Sequence, residues 1–298
     1  MATWSDLLDE IKTRGAIPTA SGTFTEARFL SLANSVMKSR IVPMMDRIRE
    51  GYYAYDYDSA NVGPFVFDIP KRAAGAKLLN VALVNGTERL DLARYYEEEL
   101  RDTTQPRAAD YGFYVKRSQV YVLGTPSEWP TLRQTILLRP GTIISEDDAA
   151  QVTGIAGNVI TCATVPTSWT TSLLYDAVQA EAHFDTVGID LAISAITTGA
   201  GGSLTLVDAA APSRLSVGDW ISIAKTTPVV QVVEDVLPYL AQLVANVCLQ
   251  SQGDAEARKA GREEAAELKE GLSALMSPRV QEEGKKLVNR TGLLRRGL

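Results

Sequence analysis

The chain has 298 residues, 45% of them hydrophobic and 22% charged, a balance that supports a sizeable buried core and excludes disorder throughout. Its formal charge of -6 and pI near 5.1 oppose tight wrapping by duplex DNA, because that affinity comes from many Lys and Arg side chains neutralising phosphates. No run approaches the roughly 18 apolar residues that a membrane-crossing helix needs, so no membrane partner is expected.

In chain order, Asp6, Asp9 and Glu10 stand where a secretory signal would carry positive charge, which gives the expectation of synthesis in a cytoplasm. Ser5 is placed to cap a first helix whose Leu7, Leu8 and Ile11 share one face and which Gly15 ends. Thr23-Phe24-Thr25-Glu26 has the spacing of a capping box. Leu30, Ala33, Met37, Ile41 and Met44 follow at helical spacing, predicting a helix from about Phe24 toward Glu50 with a kink near Pro43.

From Tyr52 the composition turns to aromatics, Gly, Pro and β-branched residues, and Phe65 to Ile69 reads as a strand. Val81 to Val84 followed by Asn85-Gly86 predicts a hairpin. Further strands are expected at Tyr114 to Lys116, Val120 to Leu123 and Ile136 to Leu138, the first two joined by a polar turn at Arg117 to Gln119. Leu90 to Leu100 is ambiguous between helix and strand, and a second β-rich stretch runs from Val159 to Ile223.

Helical periodicity returns after Pro228 in a wide apolar stripe through Val236, Leu240, Leu243, Val247 and Cys248, with Pro238 tolerable in the first turn. Gly253-Asp254 marks the junction with a second helix, which reaches about Met276. That helix has a narrow seam of Leu268, Leu272 and Leu275 below Ala257, Gly261 and Ala265, and so narrow a seam calls for a partner helix. Residues 277–298 then carry Arg279, Lys285, Lys286, Arg290, Arg295 and Arg296 against only Glu282 and Glu283, a basic end on an acidic chain. With few large residues and several glycines, this tail is expected to order only against a partner.

Catalytic signatures are sparse. The single histidine, His183, lies in an alternating stretch with no nucleophile-elbow pattern elsewhere, and Cys162 and Cys248 have the apolar neighbours of inert buried thiols. Three Cys and His residues far apart do not make a zinc site. Gly199 to Ser203 lacks the following Lys and helix of a phosphate loop, and Glu97 to Glu99 and Glu146 to Asp148 lack the ligand spacing of a calcium loop. The tyrosines at 52, 53, 55 and 57 suit either stacking on sugars or bases, or packing at an interface. No enzymatic activity and no cofactor are expected.

Two stretches carry a resemblance. Thr25-Glu26-x-Arg28-Phe29-Leu30-x-Leu32-Ala33-Asn34, leading to Ile41-Val42-Pro43 and then Ile69-Pro70-Lys71-Arg72-Ala73, resembles the opening of head-to-tail connector (adaptor) proteins of tailed bacteriophages. Gly218 to Ala224, Pro228 to Gln231 and Leu237-Pro238-x-Leu240-Ala241 resemble the return into their helical domain, and Ser277 to Val280, Lys285 to Asn289 and Leu293 to Arg295 resemble their C-terminal arm. The matches cover about a third of the chain.

The resemblance implies an α+β fold: a split helical domain built from residues 1–52 and 229–276, a large β-rich insertion over 53–228 that divides into two sub-domains, and an extended docking arm over 277–298. It implies a structural virion protein of the neck, made in the host cytoplasm. About twelve copies would form a homo-oligomeric ring below the portal protein, extend the DNA channel without binding DNA specifically, and present a platform to a downstream tail or neck protein. The arm would dock through Pro278, Arg279, Lys285, Lys286, Leu287, Val288, Asn289, Leu293, Leu294 and Arg295, and Leu268, Leu272 and Leu275 would face a neighbouring subunit. The competing expectations are another phage tail or baseplate subunit, or a carbohydrate-binding β module.

Overall fold

The computed structural model describes residues 2–16, 24–49, 51–96, 111–124, 128–180, 186–252 and 255–276. The protein is α+β, with helices at both ends of the described chain and strands between them. Helix α1 (Trp4–Arg14) buries Trp4, Leu7, Leu8 and Ile11. Its N-cap is Thr3 and not Ser5: the Asp6 carboxylate accepts the Thr3 N–H at 2.9 Å. Ser5 is engaged elsewhere, its N–H and hydroxyl donating to Glu146 at 3.1 and 2.7 Å.

Helix α2 (Glu26–Val36) starts at the N-cap Thr25, and Thr23 of the expected capping box lies outside the described residues. Glu26 instead accepts the Trp4 indole N–H at 2.8 Å, locking α2 to α1. The single helix expected to run toward Glu50 is divided by a π-helical turn, Met37–Ile41, before α3 (Val42–Ile48). Pro43 explains the division. It has no N–H to donate and its ring would strike the carbonyl of Ser39, so the backbone widens and the Val42 N–H reaches back five residues to Met37 O.

The chain then builds two four-stranded sheets from β1 (Ala54–Ala60), β2 (Val66–Asp68), β3 (Ala73–Asn85), β4 (Glu88–Asp91), β5 (Ala93–Arg94), β6 (Gly112–Lys116), β7 (Gln119–Leu123) and β8 (Thr131–Leu138). Their orders are β1-β8-β3-β4 and β2-β7-β6-β5. Val81, Leu83, Leu132 and Ile136 of the first share one apolar cluster with Phe113, Val120 and Val122 of the second. The expected β3–β4 hairpin forms one residue later than its sequence signal. Asn85 pairs with Glu88, and Gly86 (φ +59°) takes the first central turn position, where positive φ is needed and a side chain would be strained.

After the short β9 (Thr142–Ile143), six strands close a barrel: β10 (Ala150–Ala156), β11 (Val159–Cys162), β13 (Leu174–Val178), β14 (Thr186–Thr197), β16 (Ser203–Leu206) and β17 (Trp220–Ile223), ordered β10-β11-β16-β14-β13-β17. Between them, β12 (Thr164–Val165) pairs with β15 (Gly199–Ala200), and beyond them β18 (Thr226–Thr227) runs parallel to β9. Val152, Ile160, Tyr175, Ile193, Leu204 and Ile221 are buried in its own separate cluster. A barrel this small is filled by its side chains.

Two helices complete the described chain, α4 (Leu237–Gln252), with Pro238 in its first turn as expected, and α5 (Ala255–Met276). One apolar cluster takes Leu7 and Ile11 from α1, Phe29 and Ala33 from α2, Leu240 and Val244 from α4 and Leu272 from α5. Thr3 also bridges Val229 in antiparallel fashion, so the first residues of the chain pair with the segment that leaves the barrel.

The barrel and the first sheet meet at a buried ion pair. Arg72, just before β3, presents Nη1 and Nη2 to Oδ1 and Oδ2 of Asp176 in the middle of β13, at 3.0 and 2.7 Å. The two side chains are only 6% and 3% exposed. Asp176 also accepts the backbone N–H groups of Asp190 (3.0 Å) and Lys225 (2.8 Å), two non-glycine residues held at φ +53° and +73°. Burial by itself would lower the Arg72 pKa, but the hydrogen bonds and charge of Asp176, then Asp190, raise it. Removing the cation leaves a desolvated carboxylate, so Arg72→Met is expected to cost about 3–5 kcal/mol in urea unfolding. Arg72→Lys, which cannot form the planar fork, should recover only part of that loss.

Candidate interaction surface

The surface with the most chemistry is built on α4 and α5. These helices approach closely because residue 261 is glycine: a Cβ there would lie 2.1 Å from Asn246 Oδ1 and 2.9 Å from Gln242 Nε2. The space is used for hydrogen bonds. The Gly261 carbonyl accepts Asn246 Nδ2 at 2.9 Å and Gln242 Nε2 at 3.4 Å. Gln242 Oε1 in turn accepts Arg14 Nη1 at 3.4 Å, and the same guanidinium holds Glu10 and Glu264 at 2.7 and 2.5 Å. A polar chain therefore runs from α1 through α4 to α5 across otherwise apolar contacts.

This arrangement changes the meaning of the α5 seam. Gly261, Ala265 and Leu272 are buried, and Leu268 packs on the same cluster, so α4 of the same chain supplies a partner helix that the seam needs. Of the three leucines, Leu275 alone stays open, at 63% exposure. The docking residues expected between Pro278 and Arg295 lie outside the described residues.

On the other flank of the pair is a groove of about 270 Å³. Leu243 and Val247 of α4 and Ala265 of α5 form its apolar part, and Arg40, Arg258, Arg262 and Lys269 surround it. Among the described residues, no carboxylate lines it. Arg258, Arg262 and Lys269 recur at spacings of four and seven residues, with no acidic residue three or four positions from Arg262 or Lys269. That local absence of counter-charge was the readable signal of the groove. The Arg40 contribution from the π-turn was not.

Other candidate residues are structural or undescribed. His183, Glu97 to Glu99 and the Gly253-Asp254 junction lie outside the described residues. Tyr52 and Tyr53 are buried edge to face, ring centroids 4.8 Å apart, which favours packing over stacking on a ligand at those two positions. Burial pushes the Tyr52 phenol up to about 12. Glu146 belongs to the Ser5 contact; although burial opposes it, hydrogen bonds from Thr3 and Ser5 hold its carboxyl below the usual range. Gly199 and Gly201 adopt positive φ in a tight β14–β16 connection with no helix after it, unlike a phosphate loop. Among the described residues, no group of three or more His, Cys, Asp or Glu is placed to hold a metal ion, and no helix is long and apolar enough to cross a membrane. No protein-family model matches the chain, and no curated protein is significantly similar to it in sequence.

Two measurements follow from this geometry. Gly261→Leu should force α4 and α5 apart and break the Asn246 and Gln242 bonds, lowering stability by about 1–3 kcal/mol in a thermal melt. Burial pushes both thiols, Cys162 and Cys248, up to about 11. At pH 8 about one thousandth of each is thiolate, so a disulfide reagent should label the native protein far more slowly than the urea-unfolded chain.

Proposed function

We propose that the chain is a structural subunit of a tailed-phage neck, a head-to-tail connector whose copies form a ring of about twelve below the portal protein. The observation that supports this reading most is the sharing of one apolar cluster by α1, α2, α4 and α5, with the β-rich stretch leaving and returning between them. The connector resemblance implies that layout, and the residues carrying it lie on both sides of the β-rich stretch. Two of those resembling segments meet at the junction of the first sheet and the barrel: Lys71-Arg72-Ala73 supplies Arg72, and Gly218 to Ala224 contains β17, whose Ser222 pairs with Asp176.

In this role the helices make the ring, and the basic end of the chain docks on the portal. Leu287, Val288, Leu293 and Leu294 would provide apolar anchors there, while Arg279, Lys285, Lys286 and Arg295 would meet acidic groups. Pro278 and Asn289 belong to the same docking arm. The net charge of -6 repeated around a channel keeps DNA passing without being held. The β-rich part offers the platform for a downstream tail or neck protein. No residue has a catalytic role in this function, and no cofactor is required.

The test is the mass of the purified chain, alone and mixed with a candidate portal ring, by light scattering with electron microscopy of the same sample. A ring bound end-on to the portal, lost when residues 277–298 are removed, is the expected outcome. A chain that never associates with any portal ring overturns the reading and moves weight to another tail or baseplate subunit.

A further inference from the structure

Helix α5 is electrically two-sided. Arg258, Arg262 and Lys269 share the flank that faces the groove on α4. Successive helix residues turn by about 100°, so Glu263, Glu267 and Glu270 fall on a separate stripe, about 120° round the helix from that flank. All three carboxylates are exposed, and Arg14 pairs instead with Glu10 and Glu264. The cationic flank, from Arg258 to Lys269, extends about 16 Å, and the acidic stripe from Glu263 to Glu270 about 10 Å, so the stripe fits within the length of the cations around the groove.

We propose that the basic groove between α4 and α5 receives the acidic back of α5 from a second copy of this chain. Every copy carries both surfaces, and they lie on different faces. The contact is therefore heterologous: each copy offers its groove to one neighbour and its carboxylates to the other, and repetition by a fixed rotation closes a ring. Leu243 and Val247 supply an apolar strip at the centre, while the charges around it set orientation and exclude mismatched faces. A nucleic acid is the weaker occupant, because the chain is acidic overall and a phosphate backbone would find only four cations, confined to one short groove. The inference rests on the homo-oligomeric part of the connector reading and assigns its interface.

The test uses two charge reversals in the full-length chain, Arg258→Glu with Arg262→Glu, and Glu263→Arg with Glu267→Arg, followed by sedimentation velocity at low ionic strength. Circular dichroism first verifies that each variant keeps the helical signal of the parent. The parent should self-associate, less so as salt screens the contact. Each reversal alone sets like charges face to face and should weaken association by about tenfold or more. An equimolar mixture of the two should associate again, because the reversed groove of one variant then meets the reversed stripe of the other, and the two native surfaces meet in turn. Association unaltered by either reversal, or a mixture no better than its components, overturns the interface. So does a parent that stays monomeric together with a monomeric mixture, while end-on docking to a portal ring through residues 277–298 would still stand or fall on its own assay. A groove that instead binds a labelled oligonucleotide, with binding lost in the Arg258→Glu, Arg262→Glu variant and no rescue on mixing, assigns it to phosphate and likewise overturns the proposal.

Discussion

Asp176 is the constraint on which the β-rich region depends. One carboxylate in the middle of a barrel strand accepts a forked guanidinium from the first sheet and two backbone N–H groups, one from an irregularity in β14 and one from the turn after β17. Their donors, Asp190 and Lys225, lie in the left-handed region, a conformation that costs an ordinary residue about 1–2 kcal/mol. Asp176 offsets that cost by satisfying both N–H groups at once. Because the pair is desolvated, it tolerates little displacement, and the position of the barrel relative to the first sheet follows from its geometry. Tyr55, lining the same junction, shows the consequence: burial, with Asp176 and other carboxylates nearby, pushes its phenol up to about 12.

The helical part is organised differently. Its core is apolar and drawn from chain segments more than two hundred residues apart, crossed by polar contacts along the α1–α4–α5 line from Arg14 to Gly261 and by the Trp4–Glu26 bond between α1 and α2. Small residues set the spacing there. Gly261 and Ala265 let α5 lie against α4, and beside that contact lies the groove whose cations Arg262 and Lys269 have no acidic residue three or four positions away on their own helix. Tight packing on one flank of α5 and an open charged flank on the other are two results of one sequence pattern.

Much of this was legible in periodicity. The 3.6-residue repeat of apolar positions located α1, α2 and α4, and the change to alternating β-branched and aromatic residues after Tyr52 located the strands. Hairpin chemistry found β3–β4 and β6–β7, missing the first by a single residue because Gly86 prefers the first central turn position when the second is Thr87. Local signals failed where a distant group competed for the same atoms. Ser5 was a sound cap, but Glu146 bonds it and Thr3 caps α1, while Glu26, whose capping box would involve Thr23 outside the described residues, accepts the Trp4 indole N–H. At Pro43 a kink was predictable, but the π-turn that absorbs it was not, since kinking and widening both relieve the missing N–H.

By itself, the sequence determined which segments are helical and which extended, that the charge is acidic with a basic end, and that α5 needs a partner along a narrow seam, because each of these depends on residues within a few turns of one another. Only the tertiary structure decided that α4 is a partner for that seam, that Arg72 belongs to Asp176 a hundred residues away, and that Arg40 joins the cations of α5 around one groove. Those pairings are chosen by shape and desolvation among many chemically equal candidates. An arginine in a sequence does not specify which of thirty-six carboxylates it will meet; burying both in the same place does.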